Sequence, residues 1–347
     1  MRVFLFEAVT SGAVRFADGD LQLSDSLLRE ADAMIAALSR DFATLPDTEL
    51  VGLRDRSLSS SHNEPVWPDR ATLYEVSSRE AEFAAFRACA CDADWTLILA
   101  PEINHLLTDR TRTAEASGAR LLSPGSALVE LASDKHALLQ YLAEQGLPVP
   151  YGSLVSNRHP LPRGLRFPCV LKPIDGAGCL GVQRIDSTEM LPTFETDKTH
   201  RIEDFCPGIP ASVAVLCGPS GHAILPAGEQ HVELRAGQFN YTGGELPLAE
   251  PLQRRAAALA LRVSDALPQP RGYIGIDMVL GETADRDVVI EVNPRLTTSY
   301  VGLREMSRQN LAAAMIAIAS GQRPQLHFDW HKVEFTASGS TLSKSRV

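Results

Sequence analysis

The sequence predicts an α/β fold made of an open parallel α/β unit followed by an α+β unit, and three observations predict it. In the first 125 residues apolar strand-like runs alternate with helical ones, the pattern of a mostly parallel open sheet. From residue 167 onward the apolar runs become short and closely spaced, which points to antiparallel pairing. At 347 residues the chain exceeds what one hydrophobic core of roughly 250 to 300 residues sustains, so two or three lobes are expected.

The elements follow in order. Residues 3–6 (VFLF) read as a buried first strand, too short an apolar run for a signal peptide. A helix comes next, with Leu27, Leu28, Ala31, Ile35 and Leu38 at helical spacing, then a strand over 49–53. The Ser-, Pro- and Asn-rich stretch 58–69 reads as a loop. A helix over 80–90, a strand over 95–100 and a short strand over 120–122 continue the alternation. Near Ser133 a new unit begins, where Ser133 or Asp134 caps a helix whose Leu138, Tyr141 and Leu142 share a face. Gly146 and Pro148 end it. Strands are expected over 167–172, 182–185, 201–205, 212–216 and 222–225. A helix then carries Leu252, Ala256, Leu259, Ala260, Val263 and Leu267 on one stripe, with strands over 273–280 and 288–293 after it. The last helix, 311–320, stops at Gly321, and beyond Pro324 the tail is polar and expected to fray.

Composition removes several classes. Hydrophobic residues make up 44% and charged residues 22%, and no stretch approaches the roughly 18 apolar residues of a membrane span. A cytoplasmic protein with no membrane partner is expected. The net charge of −10 speaks against general binding to phosphate backbones, so nucleic acid is not an expected partner. The six cysteines contain one C-x-C and no C-x-x-C, and free buried thiols are the simplest reading. His327 and His331 are four apart and would share a helical face as metal ligands, but no H-E-x-x-H accompanies them, and a solvated tail is the plainer reading.

Two segments carry chemistry. In the first, Lys172 ends an apolar strand and is followed by a glycine loop with Gly176, Ala177, Gly178, Cys179 and Gly181, then by another strand. One ammonium and several backbone N–H groups can thereby surround a polyphosphate, with glycine allowing the close approach. The lysine precedes the glycines, so this is not a Walker A loop, and no helix follows, so it is not a dinucleotide fingerprint. The plain alternative is a hairpin loop with an exposed lysine. In the second segment, Glu291 and Asn293 point to one face of a strand because the side-chain period is two, and Asp277 on a neighbouring strand completes a set of hard oxygen ligands for magnesium. The alternative is a solvated acidic face ended by Pro294.

Together these residues resemble the ATP-grasp superfamily from about Ser133 to about Leu303. Its first lysine, at a helix start, is matched by Lys135, and its second, before a glycine-rich flap, by Lys172 with Gly176, Gly178 and Gly181. Its adenine hinge is matched by Glu203, Asp204 and Phe205 with Gly208. Its metal strands are matched by Asp277, Glu291 and Asn293, and the arginine that follows by Arg295. Pro210 stands where an acidic ribose ligand is frequent, and Cys179 where the flap often has Ser or Ala. Scattered phrases, among them residues 6–12, 100–102, 228–231, 241–244 and 293–300, look like the tyramine-glutamate ligases of methanofuran biosynthesis and their bacterial relatives.

The resemblance implies an ATP-grasp fold preceded by a pre-ATP-grasp α/β domain. The expected divisions are 1–125, a central lobe with the flap at 126–198, a metal-bearing lobe at 199–325 and a polar tail at 326–347. It implies ATP with Mg2+, for which Mn2+ substitutes, and small-molecule carboxylate and amine partners, and it leaves a homodimer open. Arg295 would bind the carboxylate and then the acyl phosphate, with an ion pair to a nearby acid as the alternative. Glu7 and Glu102, near the ends of N-terminal strands, are candidates to orient the amine, or else surface or pairing carboxylates. A kinase of the same fold and a non-catalytic ATP binder stay open at this point.

Overall fold

The computed structural model describes residues 1–17, 25–58, 66–176, 178–194 and 198–343. Residues 59–65 of the expected loop and Ala177 of the flap lie outside the described residues.

The chain opens with β1 (Arg2–Glu7), α1 (Ala13–Ala17), α2 (Asp25–Ala43), β2 (Glu49–Asp55), β3 (Thr72–Val76), α3 (Arg79–Asp92) and β4 (Trp95–Leu99). These four strands form a parallel sheet in the order β3-β2-β1-β4. β1 runs between β2 and β4, so the connections leave it on both sides, and a crevice is expected beyond the carboxyl ends of such strands. Glu7 ends β1, and Glu102 follows β4 closely. β3 escapes a reading by pattern because only Val76 of its five residues is buried. The expected strand over 120–122 shrinks to a single bridge between Leu121 and Thr96, because Ser123, Pro124 and Gly125 turn the chain toward the next helices.

α4 (Leu106–Ala116) and α5 (Ser126–Ser133) lead into α6 (Lys135–Glu144). The Asp134 carboxylate accepts the amide N–H of both His136 and Ala137 at 2.9 Å, which caps α6 and fixes Lys135 as its first residue.

The antiparallel unit contains β5 (Gly152–Val155), β6 (Cys169–Pro173), β7 (Gln183–Ile185), β8 (His200–Asp204), β9 (Ile209–Gly218), β10 (Gly221–Ile224), β11 (Gly228–Arg235) and β12 (Gln238–Leu246). It continues with α7 (Glu250–Ala266), β13 (Gly272–Leu280), β14 (Val288–Asn293), α8 (Tyr300–Met306), α9 (Leu311–Ala319), β15 (Val333–Thr336) and β16 (Thr341–Ser343). The strands run β14-β13-β9-β11-β12-β7-β6-β8-β5, with β10 on β9, β15 on β12 and β16 on β15. A single pair, Gln238 with Gln183, joins β12 to β7, so β5 to β8 form a nearly separate lobe. Alternating side chains of β9 and β13 serve two cores. Val213, Val215, Ile274 and Ile276 pack with Ala256, Leu259 and Val263 of α7, while Ala214, Leu216 and Tyr273 face Met315 and Ile318 of α9.

The tail departs from expectation. Instead of fraying, it returns to the sheet as β15, with Val333 fully buried and Phe335 4% exposed. Two apolar residues alternating with Glu334 and Thr336 suffice for a strand when β12 offers an open edge. His327 and His331 share no helix, and Gln309 holds the His327 amide at 2.6 Å. All six cysteines are free, but Cys91 is exposed and Cys179 and Cys206 are half-buried, so the expectation of buried thiols holds for the other three. No helix among the described residues is long and apolar enough to cross a membrane.

Candidate active site

A cavity of about 310 Å³ lies where the glycine flap, β6, β8, β12, β13, β14 and α2 converge. Lys135, Lys172, Gly176, Gly178, Glu203, Asp204, Phe205, Asp277, Glu291, Asn293 and Arg295 all line it. Gly181, expected with them, instead backs onto Pro173 at the foot of the flap, where an added Cβ would stand 3.1 Å from the proline ring.

The flap turns through left-handed backbone at Gly176, Gly178, Cys179 and Gly181. Cys179 holds this conformation at φ 62° without being glycine. At the hinge, a side chain on Gly208 would place its Cβ 2.4 Å from the Leu280 carbonyl, so only glycine lets the chain pass so close to β13.

Both lysines are already engaged by carboxylates. Lys135 Nζ lies 2.9 Å from Glu291 Oε1 and donates to the Gly176 carbonyl at 2.6 Å, tying α6 to β14 and the flap. Burial alone would lower its pKa, but the Glu291 charge overrides that and raises it. Lys172 Nζ is 2.7 Å from Glu203 Oε1, and Arg201 Nε takes the other oxygen at 2.6 Å. Glu203 therefore serves the second lysine and Arg201 with its side chain. The Phe205 ring lies under the Arg184 guanidinium at 4.8 Å.

The acidic strands meet as expected, Asp277 opposite Glu291 and Gly275 opposite Asn293. Asn293 Nδ2 donates to Asp277 Oδ2 at 2.9 Å, and Gln230 Nε2 donates to Oδ1 at 3.1 Å. Burial first, then the negative charge of Glu291, pushes the Asp277 carboxyl up to about 6. Two carboxylates backed by an amide are a set of hard oxygen donors, and it fits a divalent cation whose octahedron phosphate and water complete. Among the described residues no group of three His, Cys, Asp or Glu side chains assembles as a metal cluster, so the two carboxylates would need those outside ligands.

Arg295 joins this cluster by donating from Nη2 to Asn293 Oδ1 at 3.3 Å, while its Nε stands 3.0 Å from both oxygens of Glu102. The ion-pair alternative weighed for this arginine is thus present, and Glu102 is its pairing carboxylate. Burial would lower the Arg295 pKa, but Glu102, then Glu30 and Glu291, raise it. Glu7 does not line the cavity. Its carboxylate accepts the amides of Val9 at 3.0 Å and Thr10 at 2.6 Å, and burial raises it to about 7 against the pull of those bonds.

Some lining residues carry no role in the sequence reading. Gln230 and Tyr241 of β11 and β12 fall in the phrases 228–231 and 241–244, which carry the resemblance without a stated role, and Phe335 comes from the expected tail. Glu30 arrives from α2, far away in sequence. Arg201 was within reach, being two residues from Glu203 on one strand and so on the same face.

The sequence matches the pre ATP-grasp 3 domain over residues 48–129 and the ATP-grasp domain over residues 132–299. It is 25% identical over 243 residues to the tyramine–L-glutamate ligase of Methanocaldococcus jannaschii, covering 70% of this chain and 68% of that protein. An ATP-grasp superfamily protein from Archaeoglobus fulgidus superposes with a TM-score of 0.70 over 96% of this chain and 92% of that one, at 23% identity. The ADP complex of N5-carboxyaminoimidazole ribonucleotide synthetase does so with a TM-score of 0.69, over 96% of this chain and 80% of that one, at 18% identity. At these identities the structural likeness speaks for the fold. Two consecutive domain matches, laid over a cleft whose walls carry the paired lysines and acidic strands, decide the matter: the chain belongs to the ATP-grasp superfamily.

Proposed function

We propose that the chain uses ATP and magnesium, or manganese in its place, to join a small-molecule carboxylate to an amine through an acyl phosphate, releasing ADP and phosphate. The observation that supports this reading is the bonded series Arg295–Asn293–Asp277 in the lining of the cavity, a guanidinium suited to a carboxylate next to oxygen donors suited to a cation. A phosphoryl group held at Asp277 and Glu291 would then face a carboxylate held at Arg295.

On this reading adenine lies along 203–205, and Lys135, Lys172 and the flap backbone grip the phosphates. Lys172 and Arg295 are the residues assigned to catalysis, the first neutralising the moving phosphoryl group and the second orienting its acceptor. Phosphoryl transfer asks for position and charge and needs no side-chain nucleophile. A magnesium ion on Asp277, Glu291 and Asn293 would add neutralisation of the phosphate charge.

The similarity to tyramine–L-glutamate ligase supports L-glutamate as the acid and an aromatic amine such as tyramine as the nucleophile. The divisions 1–125, 126–198 and 199–325 would act as a base and two jaws, with the stretch from 326 completing the sheet, in a cytoplasmic enzyme. Phosphate release measured over pairs of amino acids and amines tests the proposal. Release that requires both partners is expected; a stable phosphorylated product from one partner alone would favour a kinase, and no release with any pair a binder.

A further inference from the structure

Glu30 and Phe335 enter the cavity from α2 and β15, outside both stretches matched by the domain families. The two domain matches therefore do not cover them. Glu30 Oε1 accepts the Thr298 hydroxyl at 2.7 Å, and among the described residues this side chain has no further hydrogen bond or ion pair. Its charge reaches Arg295 and the half-buried Tyr241. Arg295 bonds to Glu102, the Leu296 carbonyl and Asn293 and makes no hydrogen bond or ion pair with Glu30 among the described residues.

The placement of Glu30 is fixed from below. Farther along α2, Asp41 accepts from Tyr300 Oη at 2.6 Å and Arg304 Nη2 at 2.7 Å, and Asn310 Nδ2 donates to its carbonyl at 2.8 Å. Three bonds from α8 and the start of α9 thus lock the helix against the metal-bearing lobe. Tyr241, close enough to Glu30 to feel its charge, and Phe335 line the same cavity with aromatic surface, and Gly244 and Gly302 leave room for the Phe335 ring, since a Cβ on either would press it at about 3 Å. A carboxylate with one open oxygen in a cavity that also has aromatic lining suits a primary ammonium on an apolar body.

We propose that Glu30, Thr298, Tyr241 and Phe335 form the subsite for the amine substrate, with Glu30 holding the ammonium next to the carboxylate that Arg295 binds. This rests on the ligase reading above and adds to it the place and class of the nucleophile: a primary amine with an aromatic or long apolar body. The subsite stands within reach of Arg295, where the two substrates must meet.

The test is amide formation by the full chain with ATP, magnesium, L-glutamate and a series of amines: ammonia, butylamine, phenethylamine and tyramine. The wild type is expected to favour the aromatic amines. Glu30→Gln, which keeps an acceptor for Thr298 but loses the charge, should raise KM for the amine by about tenfold or more, the scale of a lost charged hydrogen bond, with smaller changes in KM for glutamate and ATP. Hydroxylamine, mostly uncharged at neutral pH, should trap the acyl phosphate as hydroxamate with a clearly smaller loss in the variant than tyramine coupling shows. Tyr241→Leu should narrow the preference for phenethylamine over butylamine, which keeps the idea testable if the Glu30 variant folds poorly. A rise confined to KM for glutamate would assign Glu30 to the amino acid instead, and equal losses with hydroxylamine and tyramine, or ammonia as the best nucleophile, would likewise overturn the subsite. A wild type that forms no hydroxamate would sink the ligase reading and the subsite with it, an outcome visible before any variant is made.

Discussion

Lys172 Nζ lies 2.7 Å from Glu203 Oε1, with both side chains almost wholly buried. Arg201 holds the opposite oxygen of the same carboxylate at 2.6 Å. One negative charge thus serves two buried cations, and the arrangement awaits a further anion. Glu203→Gln leaves both cations without a charged partner, and breaking a buried ion pair from one side should cost about 3 kcal/mol of stability. Urea unfolding measures the loss. ATP with magnesium should restore part of it, because the triphosphate supplies the missing charge; a variant as stable as wild type would show that Glu203 does not balance the pair.

Lys172→Ala removes the cation proposed to neutralise the moving phosphoryl group. Turnover should fall on the order of 10²-fold or more. Far-ultraviolet circular dichroism should stay as in the wild type, because Glu203 keeps Arg201 as its partner. Near-normal turnover would remove this lysine from the phosphate grip.

The buried carboxyl of Glu7, raised by desolvation from 4.5 to about 7, makes a prediction about pH. A raised acid pKa means that the folded chain binds this proton more tightly than the unfolded chain, so stability falls as pH rises from about 4.5 to about 7. The full penalty above that range is about 3 kcal/mol for a shift of this size. Asp277, pushed up to about 6, titrates in the same window, so the comparison must be between variants. Glu7→Gln should flatten the decline in urea midpoint between pH 5 and pH 8 relative to wild type. Parallel profiles would show that Glu7 is charged in the fold at no cost.

The residues legible in sequence were those whose type departs from a strong local pattern. Lys172 ends an apolar strand, and Glu291 and Asn293 interrupt one, so a period of two placed them on a shared face before their partner strand was known. Asp134 announced α6 and with it Lys135. What stayed hidden depends on tertiary closure. Glu30 lies in an amphipathic helix where a glutamate is unremarkable, and only the docking of α2 on α8 through Asp41 turns it into the cavity. β15 was hidden because its two buried residues follow a polar stretch, and an edge strand of this length takes its stability from the β12 edge that receives it. The Glu102–Arg295 pair spans 193 positions, and no local pattern encodes it.

Magnesium should govern nucleotide affinity. Asp277 and Glu291 face each other across β13 and β14, and with no cation between them their charge would repel a triphosphate. Calorimetry is expected to show ATP binding that is weak in chelator and tightens at least tenfold when magnesium is returned, which is about 1.4 kcal/mol. Asp277→Asn should lose most of that gain. Equal affinity with and without the metal would count heavily against the cation site.

The order of bond making decides the mechanism. If ATP first converts the acid to an acyl phosphate, one carboxylate oxygen bonds to phosphorus and leaves with it when the amine nitrogen attacks the acyl carbon. L-Glutamate labelled with heavy oxygen in both carboxylates should therefore deliver one labelled atom to each phosphate released, with ADP as the other product. An enzyme that adenylated the acid would release AMP and pyrophosphate. Arg295 supplies a second arm. Its guanidinium is engaged by Glu102 at Nε and, at 3.3 Å each, by the Leu296 carbonyl at Nη1 and Asn293 at Nη2, and it lines the cavity beside the proposed cation site. Arg295→Ala should cut kcat/KM for the acid by on the order of 10²-fold, while the dissociation constant for ATP changes much less, because the lost interaction is with the acceptor and the reaction's later charge. The comparison carries a cost to be separated, since Glu102 would be left buried without its partner; Arg295→Lys keeps the charge without the fork, and it should fold normally yet stay slow. Unlabelled phosphate, or AMP among the products, would rule out the acyl-phosphate route, and an Arg295→Ala enzyme that lost ATP affinity and acid turnover equally would move this arginine from the acceptor to the nucleotide.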